Sequence, residues 1–128
     1  MARIVVPEDC GNAPKKAQIR DFNVAFANRD VDALLEAVTA DIRWKRVGFD
    51  VVEGKGAFET ELRQMQGAEV TELVVDEILT HGNVGAANGI IRFADGRAYA
   101  FCDVYRFSSH SKNAKIKSVT SYVIEVDE

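Results

Sequence analysis

One acidic residue, Asp103, lies among aromatic residues in the stretch RAYAFCDVYRF, which covers residues 97–107. Successive side chains of an extended strand point to opposite faces of the sheet. Alternation therefore groups Asp103 with four aromatic residues, and this face consists of Tyr99, Phe101, Asp103, Tyr105 and Phe107. A carboxyl group in apolar surroundings is desolvated, which raises its pKa and suits it to proton transfer or to hydrogen bonding with a ligand.

A second interpretation of Asp103 is structural. Buried charges persist when they are paired or hydrogen-bonded, so Asp103 is also expected to pair with a cation such as Arg46 or Arg92 and to fix the strand register. Arg46 has two corresponding roles. Its guanidinium can bind a carboxylate or enolate of a ligand, or it can form the ion pair with Asp103. The residues alone leave both alternatives open.

Three further residues with chemical capacity are weaker candidates. Trp44 is the only tryptophan and shares a predicted strand face with Arg46. Its indole can line a ligand site with the N–H available, but the sequence favours a core aromatic. His81 and His110 lie in turn-like segments and are expected to be solvated. Nothing places either histidine beside a serine nucleophile, so no Ser-His-Asp arrangement is predicted.

Composition narrows the class of protein. The chain has 128 residues, 47% of them hydrophobic and 28% charged, which is typical of one globular domain. The net charge is −4 and the basic residues are scattered, so nucleic acid is not an expected partner. No apolar run approaches the roughly 20 residues that span a bilayer. We therefore expect a cytoplasmic protein without membrane contact.

Motifs for metals and cofactors are not found in the sequence. Cys10 and Cys102 are far apart and have no histidine or second cysteine at metal-ligand spacing. The glycines of EGKG lack the spacing of a phosphate-binding loop, and no dinucleotide fingerprint occurs elsewhere. The sequence predicts no metal and no cofactor, which leaves chemistry that side chains and water can perform.

The N-terminal half is predicted to be mainly helical. Residues 1–14 contain two prolines and a glycine and are expected to form an arm without regular structure. Apolar spacing predicts a helix from Lys15 to about Asn28, with Ile19, Phe22 and Phe26 on its buried side. Asp30 is expected to cap a second helix through VDALLEAVTA. A strand, DIRWKRVG, a turn over residues 49–56 and a third helix, AFETELRQM, follow.

The C-terminal half is predicted to be an antiparallel sheet. After Gly67 come four strand-like runs, EVTELVVDEILT, NVGAANGIIRF, RAYAFCDVYRF and KIKSVTSYVIEV, and Asp95-Gly96 is a strong hairpin signal. This order predicts an α+β fold in which three N-terminal helices pack on a strongly curved, mainly antiparallel sheet that Gly85 and Gly89 help to bend. Residues 15–128 are expected to form a single domain after the arm.

The element order and three stretches of the sequence carry a resemblance to a known family. FANRDVDALLEAVTADIRW, VVEGKGAF and CDVYRF with KIKSVTSYVIEV resemble the nuclear transport factor 2-like superfamily, especially its SnoaL-like branch of small bacterial proteins. The resemblance covers roughly Lys15 to Asp127. It implies a cone of helices and bent sheet with one deep pocket. The fold hosts enzymes, carriers and assembly modules, so it does not by itself define a function.

The resemblance implies a fold that is shared by two well-known groups of enzymes, the ketosteroid isomerases and the polyketide cyclases. The isomerases use a tyrosine from the first helix, an aspartate base on the first strand and a protonated aspartic acid on a late strand. In this sequence the position of the tyrosine corresponds to Phe22, that of the aspartate base lies near Arg46, and that of the late aspartic acid corresponds to Asp103. Phe22 has no donor and a guanidinium stays protonated. The isomerase reaction in that form is therefore not expected, whereas a cyclase-like reaction with Asp103 as acid and base stays open.

The resemblance and the strand alternation together predict a ligand site around Asp103 and Arg46. Its lining is expected to include Phe22, Trp44, Ile91, Phe93, Tyr99, Phe101, Val119, Ser121 and Val123. The opposite sheet face is moderately apolar and comprises Cys102, Val104, Thr120, Tyr122 and Ile124. Members of the superfamily commonly pair sheet to sheet, so a two-fold homodimer through this face is expected.

Three functions remain compatible with the sequence. The first is a cofactor-independent lyase, isomerase or cyclase that uses Asp103 on a small carbonyl or carboxylate compound. The second is a noncatalytic carrier or sensor with the same pocket, and the third is an association module in which the dimer surface matters. In the first two cases the expected partner is a small apolar or weakly anionic molecule.

Overall fold

The structure is a computed structural model that describes residues 2–7 and 13–127. Within these residues it contains three helices and seven strands. In chain order they are β1 (Arg3–Val5), α1 (Pro14–Ala27), α2 (Val31–Glu36), β2 (Val38–Arg46), β3 (Asp50–Glu53), α3 (Lys55–Met65), β4 (Val70–His81), β5 (Val84–Phe93), β6 (Ala98–Phe107) and β7 (Ile116–Val126). The α+β class with three helices and a curved sheet is confirmed.

All seven strands belong to one open sheet with the order β1-β4-β5-β6-β7-β2-β3. The four strands from β4 to β7 form the predicted antiparallel meander. β2 runs parallel to β7, and this pairing places Trp44 and Arg46 beside Val119 and Ser121. The helix-rich half of the chain thus contributes two residues to the same surface as the C-terminal strand.

Two short edge strands were not predicted from the sequence. The expectation of no regular structure before residue 15 is wrong for β1, which pairs in parallel with residues 72–74 of β4. The predicted turn over residues 49–56 contains β3, in which Val52 pairs with Trp44 and is 9% exposed. β1 forms by pairing with β4, which is distant in sequence, and β3 forms by pairing with β2. Local composition does not reveal such pairing. The division into an arm (1–14) and a domain (15–128) stays a prediction.

The second helix is shorter than predicted because β2 begins earlier. Helical spacing in VDALLEAVTA favoured a helix up to residue 40, but α2 ends at Glu36. Val38 already belongs to β2, pairs with Ile116 and has no exposed surface. Burial in the sheet therefore outweighs a weak local helix preference. The predicted cap is confirmed, since the carboxylate of Asp30 accepts a hydrogen bond from the N–H of Ala33 at 3.2 Å.

The helices pack against the strands from which the candidate residues project. α1 contacts β4 and β5, α3 contacts β2 and β3, and α2 lies between α1 and α3. The most buried stripe of α1 differs from the prediction: Phe22 and Phe26 are only half-buried. The buried positions recur at intervals of four and are Lys15, Ile19, Asn23 and Ala27. Two polar side chains are thus presented to the interior.

Gly89 explains how the sheet bends. The register between β4 and β5 shifts between Val75 and Glu77, next to the pairing of Val75 with Gly89. A Cβ atom on Gly89 would lie 1.9 Å from the carbonyl oxygen of Val74 and 3.0 Å from the Cα of Val75. Two backbones approach here more closely than any side chain allows, so this position requires glycine.

We predict that Gly89→Ala destabilises the fold because the added methyl group would meet backbone atoms that cannot rotate away. Overpacking of this kind costs on the order of 3 kcal/mol of the free energy of unfolding. Urea unfolding followed by the fluorescence of the single tryptophan, Trp44, measures the loss. Gly67→Ala is the control, since a Cβ there meets nothing within 4 Å. Equal losses of unfolding free energy in Gly89→Ala and Gly67→Ala would contradict the close approach of the two backbones at Gly89.

Candidate functional site

A row of residues crosses the helix-covered face of the sheet. Asp50, Arg46, Ser121, Asp103 and Ala87 are consecutive partners on β3, β2, β7, β6 and β5. Directly opposed residues of adjacent strands project to the same face. The register therefore brings the two polar candidates of the sequence analysis onto one surface, with a serine between them.

Two hydroxyl groups bind the carboxylate of Asp103. The Tyr105 hydroxyl donates a long hydrogen bond of 3.4 Å to Oδ2, and the Ser121 side chain forms a second hydrogen bond to the carboxyl group. Each hydroxyl oxygen also accepts an N–H. Trp44 Nε1 donates to Ser121 Oγ at 3.0 Å, and Asn23 Nδ2 donates to the Tyr105 oxygen at 2.9 Å. Both hydroxyl hydrogens are thereby left to point toward Asp103.

Asn23 anchors this network to α1 and was missed by the sequence analysis. Its side chain is 7% exposed and also donates to the carbonyl oxygen of Ile19 at 2.8 Å. The signal was present, because Asn23 stands four residues after Ile19 and four before Ala27 in an otherwise apolar stripe. A polar residue in such a stripe needs a buried partner. Here that partner is the hydroxyl group of Tyr105.

Burial raises the pKa of Asp103 from its ordinary 3.8 to about 6, although the hydrogen bonds from Ser121 and Tyr105 lower it in part. Burial also raises the pKa of Tyr105 well above its usual value, and the charge of Asp103 adds to this effect. Tyr105 therefore keeps its proton and acts as a donor. A carboxyl group with a pKa near neutral pH can both accept and release a proton under ordinary conditions.

The ion pair between Arg46 and Asp103, one of the two alternatives that the sequence left open, is not among the contacts of Arg46. Arg46 instead forms two hydrogen bonds to Asp50, from Nε at 2.7 Å and from Nη2 at 2.6 Å, and a third from Nη1 to Glu61 at 2.9 Å. Asp50 is its direct partner across the β2–β3 pair, which the sequence analysis took for a turn. Arg92, the other cation considered, forms an ion pair with Glu72 at 3.1 Å.

Trp44 is a core aromatic, as the sequence favoured. It is 8% exposed and packs edge-to-face with Phe26 and Phe58, with ring centroids 6.3 and 5.8 Å apart. The guanidinium of Arg46 lies 4.7 Å from the Trp44 ring centroid. Because the indole N–H is bound to Ser121, it serves the Asp103 network rather than an open surface.

The other predicted lining residues lie on this face in neighbouring pairs. Phe101 pairs with Val123, Tyr99 with Ile91, and Tyr105 with Val119. The structure places the remaining two in aromatic contacts, because Phe22 meets Tyr105 and Phe93 meets Tyr99 edge-to-face at 6.0 and 5.8 Å. Their exposure differs widely, from 4% at Val119 to 53% at Val123, so Val123 lies where the face is open to solvent.

The single deep pocket implied by the resemblance stays a prediction. Two surface cavities of about 240 and 300 Å³ are present, one over the outer sheet face and one at the start of α1. Asp103 lines neither of them. Within the described ranges, no group of three or more His, Cys, Asp and Glu side chains is placed to hold a metal ion. Among the same residues, no helix has the length and apolar character needed to cross a bilayer.

The chain belongs to the SnoaL-like domain family, whose model matches residues 19–118. This match confirms the resemblance seen in the sequence and agrees with the sheet and helix arrangement. A search of curated proteins finds no match. The family is thus established, and the activity has to be argued from the site.

Solved structures with the same fold include proteins of unknown and of named activity. An NTF2-like protein of unknown function from Cytophaga hutchinsonii is 27% identical, with a TM-score of 0.65 over 85% of this chain and 98% of that chain. An LEH-like epoxide hydrolase from M. tuberculosis is 21% identical, with a TM-score of 0.72 over 87% and 83%. SalBIII, an epoxide hydrolase/cyclase-like enzyme of pyran ring formation in salinomycin, is 20% identical, with a TM-score of 0.73 over 88% and 93%.

The raised pKa of Asp103 predicts a specific pH dependence of stability. A folded-state pKa of about 6 exceeds the ordinary 3.8, so the folded protein binds the proton more tightly than the unfolded chain. The resulting stabilisation is complete below pH 4 and is lost as the pH rises through 6. Relative to Asp103→Asn, the wild type should lose about 2 kcal/mol of unfolding free energy between pH 4 and pH 7.

Urea unfolding of the two proteins at matched concentration, repeated across this pH range, measures the difference. Asp76→Asn is the control for the loss of one negative charge, since Asp76 is an exposed acid on β4. A difference between wild type and Asp103→Asn that stays constant with pH would contradict the raised pKa.

Proposed function

We propose that this protein binds a small carbonyl or carboxylate compound and that Asp103 transfers a proton to and from it without a cofactor. The observation that carries the proposal is the state of the Asp103 carboxyl group. Burial raises the pKa of this group to about 6, and the hydroxyl groups of Ser121 and Tyr105 donate hydrogen bonds to it. A lyase, isomerase or cyclase reaction that passes through an enolate or enol needs this kind of group.

The proposed reaction is a proton transfer. At neutral pH the ionised carboxylate of Asp103 removes a proton from the carbon next to the carbonyl group, and the electron pair of the C–H bond moves into an enolate. The protonated Asp103 then returns the proton to carbon or oxygen. Ser121 and Tyr105 hold the carboxylate in one orientation throughout, which keeps the geometry of the transfer constant.

Arg46 has a narrower proposed role than the sequence suggested. It is separated from Asp103 by Ser121 in the cross-strand row, which corresponds to about 10 Å between Cα atoms. Three of its five N–H donors already bind Asp50 and Glu61. The remaining donors are proposed to contact a carbonyl or carboxylate oxygen of a ligand that extends from Asp103 along the row.

The apolar part of the ligand is proposed to contact the half-buried aromatic side chains beside this row. Phe22, Tyr99 and Phe101 are partly buried side chains packed against the core. Two of the similar folds are named for epoxide hydrolysis and for pyran ring formation. At identities near 20% these neighbours support the fold alone, so the proposal depends on Asp103.

Deuterium exchange tests the proposal without knowledge of the physiological substrate. We predict that the wild type accelerates the exchange of α-protons of 2-tetralone or levulinate in D2O, followed by NMR, with a rate that rises with pH through about 6. Asp103→Asn should lose a factor of about 100 to 10,000 in this rate, because the amide keeps the shape but cannot accept the proton. Ser118→Ala, on the opposite face of β7, should leave the rate unchanged.

Two outcomes would contradict catalysis by Asp103. If wild type and Asp103→Asn accelerate the α-proton exchange equally, the proton is transferred by a residue other than Asp103. Saturable binding of both probes without accelerated exchange would instead favour the alternative function, a noncatalytic carrier that uses the same face. Chemical-shift changes in the same NMR experiments report this binding.

We also propose that the outer sheet face joins two copies of the chain in a two-fold dimer. Four large apolar side chains are exposed there, at 62% for Leu79, 37% for Val104, 49% for Tyr122 and 69% for Ile124. Leu79 and Val104 flank Ala86 in one cross-strand row, and Tyr122 pairs with Cys102. A continuous apolar surface of this kind is typical of an interface.

We predict that Ile124→Lys converts the dimer to a monomer, because a two-fold contact places the new charge in the interface twice. Light scattering coupled to size-exclusion chromatography at micromolar concentration measures the mass. Gln64→Lys adds the same charge to an exposed position of α3 and should leave the mass unchanged. A wild type that is monomeric under these conditions would overturn the proposed dimer.

A further inference from the structure

Asp50 and Glu61 hold Arg46 at one end of the cross-strand row that contains Asp103. Arg46 Nε and Nη2 donate to the two carboxylate oxygens of Asp50 at 2.7 and 2.6 Å, and Nη1 donates to Glu61 at 2.9 Å. β3 supplies Asp50 and α3 supplies Glu61. We call these three side chains the Arg46 cluster. At neutral pH they carry one positive and two negative charges, so the net charge of the cluster is −1.

The guanidinium group of Arg46 is fixed in one orientation. It lies 4.7 Å from the ring centroid of Trp44 and 4.8 Å from that of Phe49, and the Arg46 side chain is only 16% exposed. Three of its five N–H donors bind carboxylates. Turning toward a ligand would break charge-assisted hydrogen bonds, which are stronger than neutral ones. A ligand therefore has to use the donors that remain.

These remaining donors suit a carbonyl oxygen better than a carboxylate. Guanidinium groups bind a carboxylate most strongly through two parallel N–H···O bonds. In Arg46 the parallel pair formed by Nε and Nη2 already binds Asp50. The single N–H groups left on Nη1 and Nη2 can each donate to one oxygen atom. A carbonyl oxygen needs no more than this.

The charges of the row act in the same direction as this geometry. A carboxylate ligand at Arg46 would share one guanidinium with two other carboxylates, and like charges in partly buried surroundings repel one another. Ionised Asp103 adds a further negative charge in the same row. A neutral carbonyl group is not subject to this repulsion. It still gains a hydrogen bond from a charged donor.

We propose that Asp50 and Glu61 make the site selective for neutral carbonyl compounds over carboxylates. This inference rests on the proposed function, because it requires a ligand that extends from Asp103 along the row to Arg46. It narrows the substrate class to a ketone, aldehyde or ester without a negative charge near Arg46. Asp50 and Glu61 are thus specificity-determining residues, while Asp103 remains the group that transfers the proton.

Methyl levulinate and levulinate test this selectivity, since they share the same keto acid skeleton and differ in charge at neutral pH. We expect the wild type to bind methyl levulinate about tenfold more tightly or better, measured by titration of amide chemical shifts in NMR at constant ionic strength. The acceleration of α-proton exchange over buffer should follow the same order. Equal affinities, or tighter binding of levulinate, would overturn the selectivity whether or not either probe exchanges protons.

Glu61→Gln tests whether the carboxylates are the cause. The glutamine amide oxygen can still accept the N–H of Arg46, but the negative charge is gone. We expect levulinate affinity to rise about threefold to tenfold, with methyl levulinate affinity changed by less than about twofold. Glu59→Gln is the control, because Glu59 lies on the same helix and pairs with Arg63. Asp50→Asn should act like Glu61→Gln and serves as the second variant if that protein does not fold.

The possible results separate this selectivity from the proposed catalysis. Tighter binding of methyl levulinate without proton exchange would support the selectivity and contradict proton transfer by Asp103. Exchange of both probes with equal affinities would support the catalysis and overturn the selectivity. Equal changes in Glu61→Gln and Glu59→Gln would also overturn it, because they would indicate a general charge effect. Binding of neither probe by the wild type and the two site variants would overturn both proposals.

Discussion

The constraint on which the site depends is the solvation of one carboxylate. Asp103 is half-buried on the helix-covered face of the sheet, so water supplies fewer of its hydrogen bonds and the protein supplies the others. It uses hydroxyl groups rather than a cation. A hydroxyl can donate in more than one direction, but Trp44 and Asn23 occupy the oxygens of Ser121 and Tyr105 and so restrict that freedom. Hydrogen bonds around this one carboxyl group thereby connect β2, β6, β7 and α1.

The choice of neutral donors has a chemical consequence. An arginine beside Asp103 would lower its pKa and keep it ionised, whereas two hydroxyl groups offset only part of the cost of burial. Arg46 is close in the register but is held by Asp50 and Glu61. The ion pairs of Arg46 with Asp50 and Glu61 are thus separate from the hydrogen bonds of Asp103.

The sequence was sufficient for the α+β class, for the order of the three helices and the longer strands, and for the strand face on which Asp103 lies. Alternation in RAYAFCDVYRF placed Asp103 with Tyr105, and the order of helices and strands indicated the fold. The partner of Arg46 was not predictable, since Asp50 belongs to a strand that exists only through pairing with β2. Asn23 and Lys15 were also missed, because the helix was oriented by Ile19, Phe22 and Phe26. The buried positions of α1 instead recur at intervals of four and include two polar residues.

The two edges of the sheet limit how copies of this protein can associate. β1 and β3 have three and four residues, whereas β4 to β7 have ten to twelve. Asp50 and Glu53 stand at the two ends of β3, and acidic, short edge strands are poor templates for further strands. The molecule therefore resists fibrous growth through backbone hydrogen bonds even though one of its faces is apolar. The dimer proposed for the outer sheet face would accordingly be held by side-chain packing and not by strand addition.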